Sequence, residues 1–231
     1  MECANEIYIT RFSAWAPGVE SAGEWDEWAL GRREISFDVK SPELGYTGSS
    51  FRRRLSQISK MAIQVIHDIL PLGEETKILF FSFRGELVRE YQLFKMWMEE
   101  SAVSPAAFSL SGFNTPVALA SIAFELKGGY SALYPVKNSF DFCVKAAQAA
   151  LYSGIPDDLV LLYADENIPP ECMCFFRESP PSWMPAAFSL YLSRNPGDLS
   201  VPLSSVRPEE DNPLAFLKQL LLKGTLRISS N

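Results

Sequence analysis

Histidine and cysteine are scarce in this sequence, which limits the catalytic and metal sites that it can form. The 231 residues include one histidine, His67, and four cysteines, Cys3, Cys143, Cys172 and Cys174. Cys172 and Cys174 are too closely spaced for a zinc knuckle, and no second pair accompanies them. His67 falls in an apolar run with helical spacing, so we interpret it as a side chain packed beside the core. We therefore expect no metal, no cofactor and no Ser-His or Cys-His dyad.

Positive charge and long apolar runs are also lacking. The chain has 21 Lys and Arg against 28 Asp and Glu, a net charge of −7, which argues against a nucleic-acid partner because such a partner requires a concentrated basic face. No run approaches the roughly 20 apolar residues of a membrane-spanning helix. The acidic residues 1–6 lead directly into a strand pattern and do not resemble a signal peptide. The expected location is the cytoplasm.

One basic cluster interrupts the acidic composition. Arg52, Arg53 and Arg54 are consecutive, and Lys60 follows two helical turns later. Charge runs usually mark a solvated face, here the start of a helix. The alternative is that the cluster binds a phosphate or an acidic carrier protein.

The apolar content of 47%, with 13% aromatic residues, is typical of a folded domain. Apolar runs predict strands over residues 7–12, 77–83, 130–135, 158–163, 186–192 and 225–228. Helical spacing predicts helices over residues 23–30, 51–70, 86–100, 114–126, 138–153 and 212–222. The alternation predicts a three-layer α/β/α domain over residues 1–205, with a mostly parallel five-stranded sheet. Residues 206–231 form a predicted extension of one helix and one short strand, and the proline-rich residues 166–185 form a predicted loop or lid.

The strand predicted over residues 130–135 is followed by a sharp turn and a helix rich in small residues. This arrangement exposes a reactive side chain at a helix N-terminus, where the helix dipole favours a thiolate. The turn carries Lys137 and Ser139 but no cysteine. Cys143 lies more than one helical turn further on, on the apolar stripe of the helix, so we interpret it as a core residue.

The order of these elements resembles the N-terminal half of a β-ketoacyl-acyl-carrier-protein synthase, which implies a thiolase-like fold. The resemblance covers roughly residues 6–193. An ungapped match places the family's nucleophilic cysteine at Lys137, and counting back from Gly154 gives the same position. The segments that carry the resemblance are residues 13–18, 24–31, 104–114, 121–123 and 128.

A closer resemblance is to the truncated chain length factors of aryl-polyene-type lipid biosynthesis, carried by residues 51–56, 104–111 and 163–166. The second half of a synthase, which supplies two histidines for decarboxylation, has no counterpart here. The resemblance implies a catalytically silent partner that forms a heterodimer with a full-length β-ketoacyl-acyl-carrier-protein synthase and shapes its acyl tunnel.

The resemblance also implies roles for individual residues. The candidates for the tunnel and the interface are Phe108, Leu110, Phe113, Pro116 and Leu119. The candidate dimer strand is Tyr130, Ser131, Ala132, Leu133 and Tyr134. Separately, the positive charge of Arg52, Arg53 and Arg54 makes them candidate contacts for an acyl carrier protein.

Two other interpretations stay open from the residues alone. The chain could be a stand-alone acyltransferase or hydrolase that uses Ser139 or Lys137 as its nucleophile. It could also be a module that binds an acyl chain or a carrier protein without any partner.

Overall fold

The structure is a computed structural model that describes residues 6–134, 140–175 and 184–229. Within these residues, six strands form one sheet. Their bounds are β1 Tyr8–Trp15, β2 Lys77–Phe81, β3 Tyr130–Leu133, β4 Asp158–Asp165, β5 Ala186–Ser193 and β6 Val201–Pro202. Their spatial order is β3-β2-β4-β5-β1-β6.

The sheet is mixed and has six strands, so the prediction of a mostly parallel, five-stranded sheet was wrong in strand direction and in strand number. β3, β2 and β4 are parallel, whereas β4 with β5, β5 with β1, and β1 with β6 are antiparallel. A parallel neighbour needs a helical crossover, and the proline-rich sequence between β4 and β5 has no helical pattern. The sixth strand has only two residues, too few to give an alternating pattern.

Helices cover both faces of the sheet and confirm the predicted α/β/α layers. Their bounds are α1 Ala22–Ala29, α2 Ser49–Arg52, α3 Gln57–His67, α4 Leu87–Glu100, α5 Pro105–Phe108, α6 Thr115–Ala123, α7 Phe140–Tyr152 and α8 Pro213–Lys223. Alternate residues of β2 and β4 point to opposite faces. One face packs against α1, α7 and α8, and the other packs against α3 and α6.

The helix predicted over residues 51–70 is broken in its first third. α2 ends at Arg52, and α3 begins only after Ser56, whose hydroxyl accepts a hydrogen bond from the backbone N–H of Ser59. Serine is a strong N-cap because its oxygen satisfies one of the free amides of the first turn. The apolar spacing alone could not locate this break.

The C-terminal extension packs onto the main sheet. Buried leucines of α8 belong to the same core cluster as β1 and β4, while the boundary at residue 205 stays a prediction. Residues 225–228 do not form the predicted strand. Leu226 buries its side chain in that core cluster, and the N–H of Ser229 donates to the carbonyl of Phe12.

Candidate functional site

The predicted dimer strand lies at one edge of the sheet. In the described part of the chain, β3 pairs with β2 on one side and with no strand on the other. Ser131, Ala132 and Leu133 are only half-buried, and Tyr134, just beyond the strand, is 69% exposed. An edge of this kind presents unpaired backbone groups to another chain. Residues 135–139, which include Pro135, lie outside the described residues.

Phe113 joins this edge to the carboxyl end of β2. Its ring centroid lies 6.1 Å from that of Phe80 in β2 and 6.0 Å from that of Tyr134. Gly85, with a φ of +59°, has room for no side chain, because a Cβ there would lie 2.6 Å from Phe113 Cδ2. Glycine is therefore required at residue 85, both by its backbone conformation and by the close approach of Phe113.

The other four tunnel candidates have different surroundings, and of these only Leu119 packs on the same core cluster as Phe113. Phe108 is 68% exposed at the end of α5. Leu110 is half-buried and lines a groove of about 630 Å³ that α3 and α4 also border. Pro116 is buried, and Leu119 packs against the core on the α3 face of the sheet.

A buried carboxylate, Asp165, ends β4 and fixes the turn that follows β2. Its Oδ1 accepts hydrogen bonds from the hydroxyl of Ser82 at 2.7 Å and from the N–H of Arg84 at 3.1 Å. The N–H of Phe83 donates to the same carboxylate. The turn that leads into α4 is thus held from the neighbouring strand.

Two more carboxylates, those of Glu86 and Glu166, accept hydrogen bonds from groups at the starts of α3 and α4. Glu86 Oε1 accepts 2.7 Å hydrogen bonds from the hydroxyls of Ser56 and Ser59, and Arg89 forms an ion pair with Glu86 Oε2. Glu166 Oε1 accepts from the N–H of Val88 at 3.0 Å. Carboxylates are favourable at helix N-termini because the dipole there is positive.

Burial dominates the protonation of this cluster. It is the first cause that raises the pKa of Glu166 to about 8, with the neighbouring Glu86 charge as the second. Burial also raises the pKa of Glu86 and of Asp165. Sequence reasoning missed the cluster, although acidic residues that directly follow a buried strand were a usable signal.

The three consecutive arginines have different surroundings. Arg52 is half-buried, and its Nη1 donates to the carbonyls of Leu44 at 2.9 Å and Thr47 at 2.7 Å. Arg53 and Arg54 are exposed and border the 630 Å³ groove together with Lys60. Two of the three predicted carrier-protein contacts are therefore available at the surface, and the third stabilises a loop.

The turn that would hold a nucleophile, with Lys137 and Ser139, lies outside the described residues. The helix that follows it is described, and its first turn has a carboxylate partner. Asp211, in the segment before α8, accepts a 2.7 Å hydrogen bond from the N–H of Asp141. Cys143 is buried, and burial, followed by the Asp211 charge, raises the pKa of its thiol to about 12.

His67 lies far from a catalytic arrangement. It ends α3, which packs on the face of the sheet opposite α7. Its ring stacks on Tyr46 with centroids 3.6 Å apart, and its Nδ1 lies 3.5 Å from Asp68 Oδ1. The histidine therefore packs beside the core, as its place in the apolar run predicts.

Comparison with known proteins identifies the family. The family model described as beta-ketoacyl synthase, N-terminal domain, matches residues 25–219. The chain belongs to this family. The resemblance inferred from the sequence is thereby confirmed, and the α/β/α layers are those of a ketosynthase N-terminal domain. No curated protein sequence matches the chain.

Solved structures of ketosynthase complexes share the fold. One is the ketosynthase ApeO in complex with its chain length factor ApeC, from Xenorhabdus doucetiae. The similarity covers 94% of this chain and 91% of the matched chain, with a TM-score of 0.76 and 24% sequence identity. The ishigamide ketosynthase/chain length factor matches 86% of this chain and 64% of the other, with a TM-score of 0.65 and 13% identity. A complex of the type II acyl-carrier protein AntF with its ketosynthase AntDE matches 81% and 63%, with a TM-score of 0.63 and 12% identity.

No helix in the described parts of the chain combines the length and the apolar character that a membrane span requires.

Proposed function

We propose that this protein is a non-catalytic, chain-length-factor-like partner of a full-length β-ketoacyl-acyl-carrier-protein synthase. The observation that carries the proposal is the outer edge of β3, which has no strand partner among the described residues, in a chain that matches the N-terminal domain of the synthases. In support, one matched chain comes from a complex of a ketosynthase with its chain length factor and has nearly the length of this chain. The pathway we propose is aryl-polyene or fatty-acid-type lipid biosynthesis, in the cytoplasm.

The described residues at the start of α7 favour the silent role over a stand-alone acyltransferase or hydrolase. A thiol with a pKa of about 12, such as Cys143, is protonated at neutral pH and is a poor nucleophile. The backbone N–H of Asp141 in the first turn of α7 is bound by Asp211, so it is not available to a thiolate or an oxyanion. His67 ends α3, which packs on the face of the sheet opposite α7, so no histidine base is provided from α3 at the start of α7.

An acyl carrier protein is a further proposed partner. Carrier proteins of this class are acidic, and Arg53, Arg54 and Lys60 lie together at the rim of one groove. Among the described residues, none of the three forms an ion pair with a carboxylate. Uncompensated cations in a protein of net charge −7 favour an anionic partner at this place.

Co-expression with a full-length ketosynthase from the same organism tests the proposal. We expect a 1:1 complex by light scattering, with slower amide hydrogen exchange over residues 131–134 than in the free chain. Tyr134→Asp places a charge at the β3 edge and should weaken the complex. Leu199→Asp is the matched control, since Leu199 is 66% exposed beyond the opposite edge of the sheet.

Two results would contradict the proposal. One is a stable, monodisperse monomer with no affinity for that ketosynthase. The other is a stoichiometric acyl adduct on Ser139, Lys137 or Cys143 when the chain alone is incubated with an acylated carrier protein and analysed by intact mass.

A further inference from the structure

α4 presents an apolar stripe to solvent. Phe94, Trp97 and Met98 are 57%, 55% and 64% exposed, although their spacing of i, i+3 and i+4 puts them on one side of the helix. The rings of Phe94 and Trp97 are in contact, with centroids 6.3 Å apart. Among the fourteen residues of α4, only Leu93 is buried. A contiguous apolar face of this kind is typical of a protein-binding surface.

Charge favours a protein over a membrane as the occupant of this stripe. Glu90, Glu99 and Glu100 are exposed on the same helix, and Lys95 is already paired with Glu99. An anionic lipid surface would repel these carboxylates and the whole chain, whose net charge is −7. A second copy of the chain would bring the same acidic residues together. A partner protein whose groove has an apolar floor and a basic rim would complement the stripe better than a membrane or a second copy of the chain would.

The β3 edge alone is too small for a stable complex. A specific interface buries about 800 Å² on each partner and involves roughly 20–30 residues, whereas β3 has four residues. Exposed surface that continues from the edge must supply the remainder. Tyr134 contacts Phe113, and Phe113 packs against Gly85, two residues before α4 begins. The strand edge is therefore connected to the start of α4 by packed side chains.

We infer that the α4 stripe, formed by Phe94, Trp97 and Met98, is the second part of the surface that docks on the ketosynthase. This inference rests on the proposed function, because the occupant is the same partner. Trp97 lies in the middle of the stripe and serves as its central anchor, since buried tryptophan is enriched among the residues that dominate interface energies.

The test uses isothermal titration calorimetry to compare the affinities of three purified chains for a full-length ketosynthase from the same organism. Trp97→Glu should weaken binding by about 30-fold or more, as expected for a central anchor. Ile155→Glu is the matched control, because Ile155 is 89% exposed in the turn after α7, and it should leave the affinity unchanged. Circular dichroism and thermal melting should show that both variants are folded as the wild type is.

A charge-reversal arm tests the basic rim. Glu99→Lys together with Glu100→Lys should slow association with the ketosynthase, and the loss should shrink as salt rises, because screening weakens both attraction and repulsion.

Each outcome decides the inference. Equal binding by wild type and Trp97→Glu would overturn it and leave the proposed function standing, whereas no binding by the wild type would overturn both. Dimers of the chain alone that Trp97→Glu converts to monomers would assign the stripe to a second copy. Binding of the chain to phosphatidylglycerol vesicles that Trp97→Glu abolishes would assign it to a membrane. Either assignment would overturn the inference.

Discussion

A single carboxyl group shows how closely the fold controls protonation. Glu166 is about 1% exposed, and its carboxyl accepts backbone N–H bonds from Val88 at the start of α4 and from Ile58 at the start of α3. Water can therefore not solvate its charge, and its pKa rises from the ordinary value of 4.5 to about 8. Near neutral pH this glutamate is mostly protonated, which lets it lie beside Glu86 and Asp165 without strong repulsion.

This protonation predicts a pH dependence of stability. Between pH 4.5 and about 8 the folded state holds a proton on Glu166 that the unfolded state has lost. Stability should therefore be greatest at the acid end of this window and fall as pH rises through it. Glu166→Gln removes the charge and should unfold at higher urea than wild type at pH 9, with a smaller difference at pH 5. The matched control is Glu43→Gln at an exposed position, and a parallel shift at both pH values would contradict the prediction.

The first turn of α7 is capped by a side chain from a distant part of the sequence. The first amides of a helix have no partner within the helix, and here Asp211 reaches one of them from the segment before α8, 70 residues further along the chain. Asp141, whose N–H is bound, also pairs through its side chain with Lys145 one turn on. The hydrogen bond fastens the C-terminal segment to the start of α7 and so joins the predicted extension to the predicted domain.

Removing this cap should destabilise the folded chain. Asp211→Ala should lower the free energy of unfolding by roughly 1 kcal/mol, the usual cost of losing a helix cap. Chemical denaturation by urea measures it, with Asp198→Ala as the control at an exposed position in the turn between β5 and β6. Equal midpoints for the two variants would show that the Asp211 bond contributes nothing to stability.

Element types were predictable from the sequence where one physical signal dominated. Continuous apolar runs located β2 and β4, which are buried on both faces, and helical spacing of apolar residues located α3. This spacing gave no warning of the break between Arg52 and Ser56, since the cap depends on a hydroxyl and not on apolar spacing. The carboxylate cluster was also missed. Glu86 and Glu166 are 80 residues apart in sequence, and only the parallel pairing of β2 with β4 brings them together.

At the scale of the whole molecule, the chain is one subunit of a proposed two-subunit catalyst. We expect it to affect the length of the acyl product at the interface between the two subunits. Phe113 lies where the β3 edge meets the carboxyl end of β2. In the complex with the ketosynthase, its ring would close the floor of the acyl tunnel by filling volume.

Shortening this side chain should lengthen the product. In the intact complex, Phe113→Ala should allow about one or two further extension units, because the removed ring leaves space for chain atoms. Mass spectrometry of the released chains measures the shift. Val117→Ala, in a fully buried core side chain that is not a tunnel candidate, should lower stability without changing the product. An unchanged product from an intact Phe113→Ala complex would show that this chain stabilises its partner but does not determine the length of the product.

The open edge of β3 has a consequence for the supply of this protein in a cell. Among the described residues, β3 has no strand on its outer side, and exposed Tyr134 lies beside it; such an edge is a template for pairing with strands of other chains. Copies made in excess of the partner would therefore enter aggregates or be degraded. Synthesis of the two proteins in equal amounts, as from adjacent genes on one transcript, would let each new chain bind the ketosynthase before its β3 edge pairs with another strand.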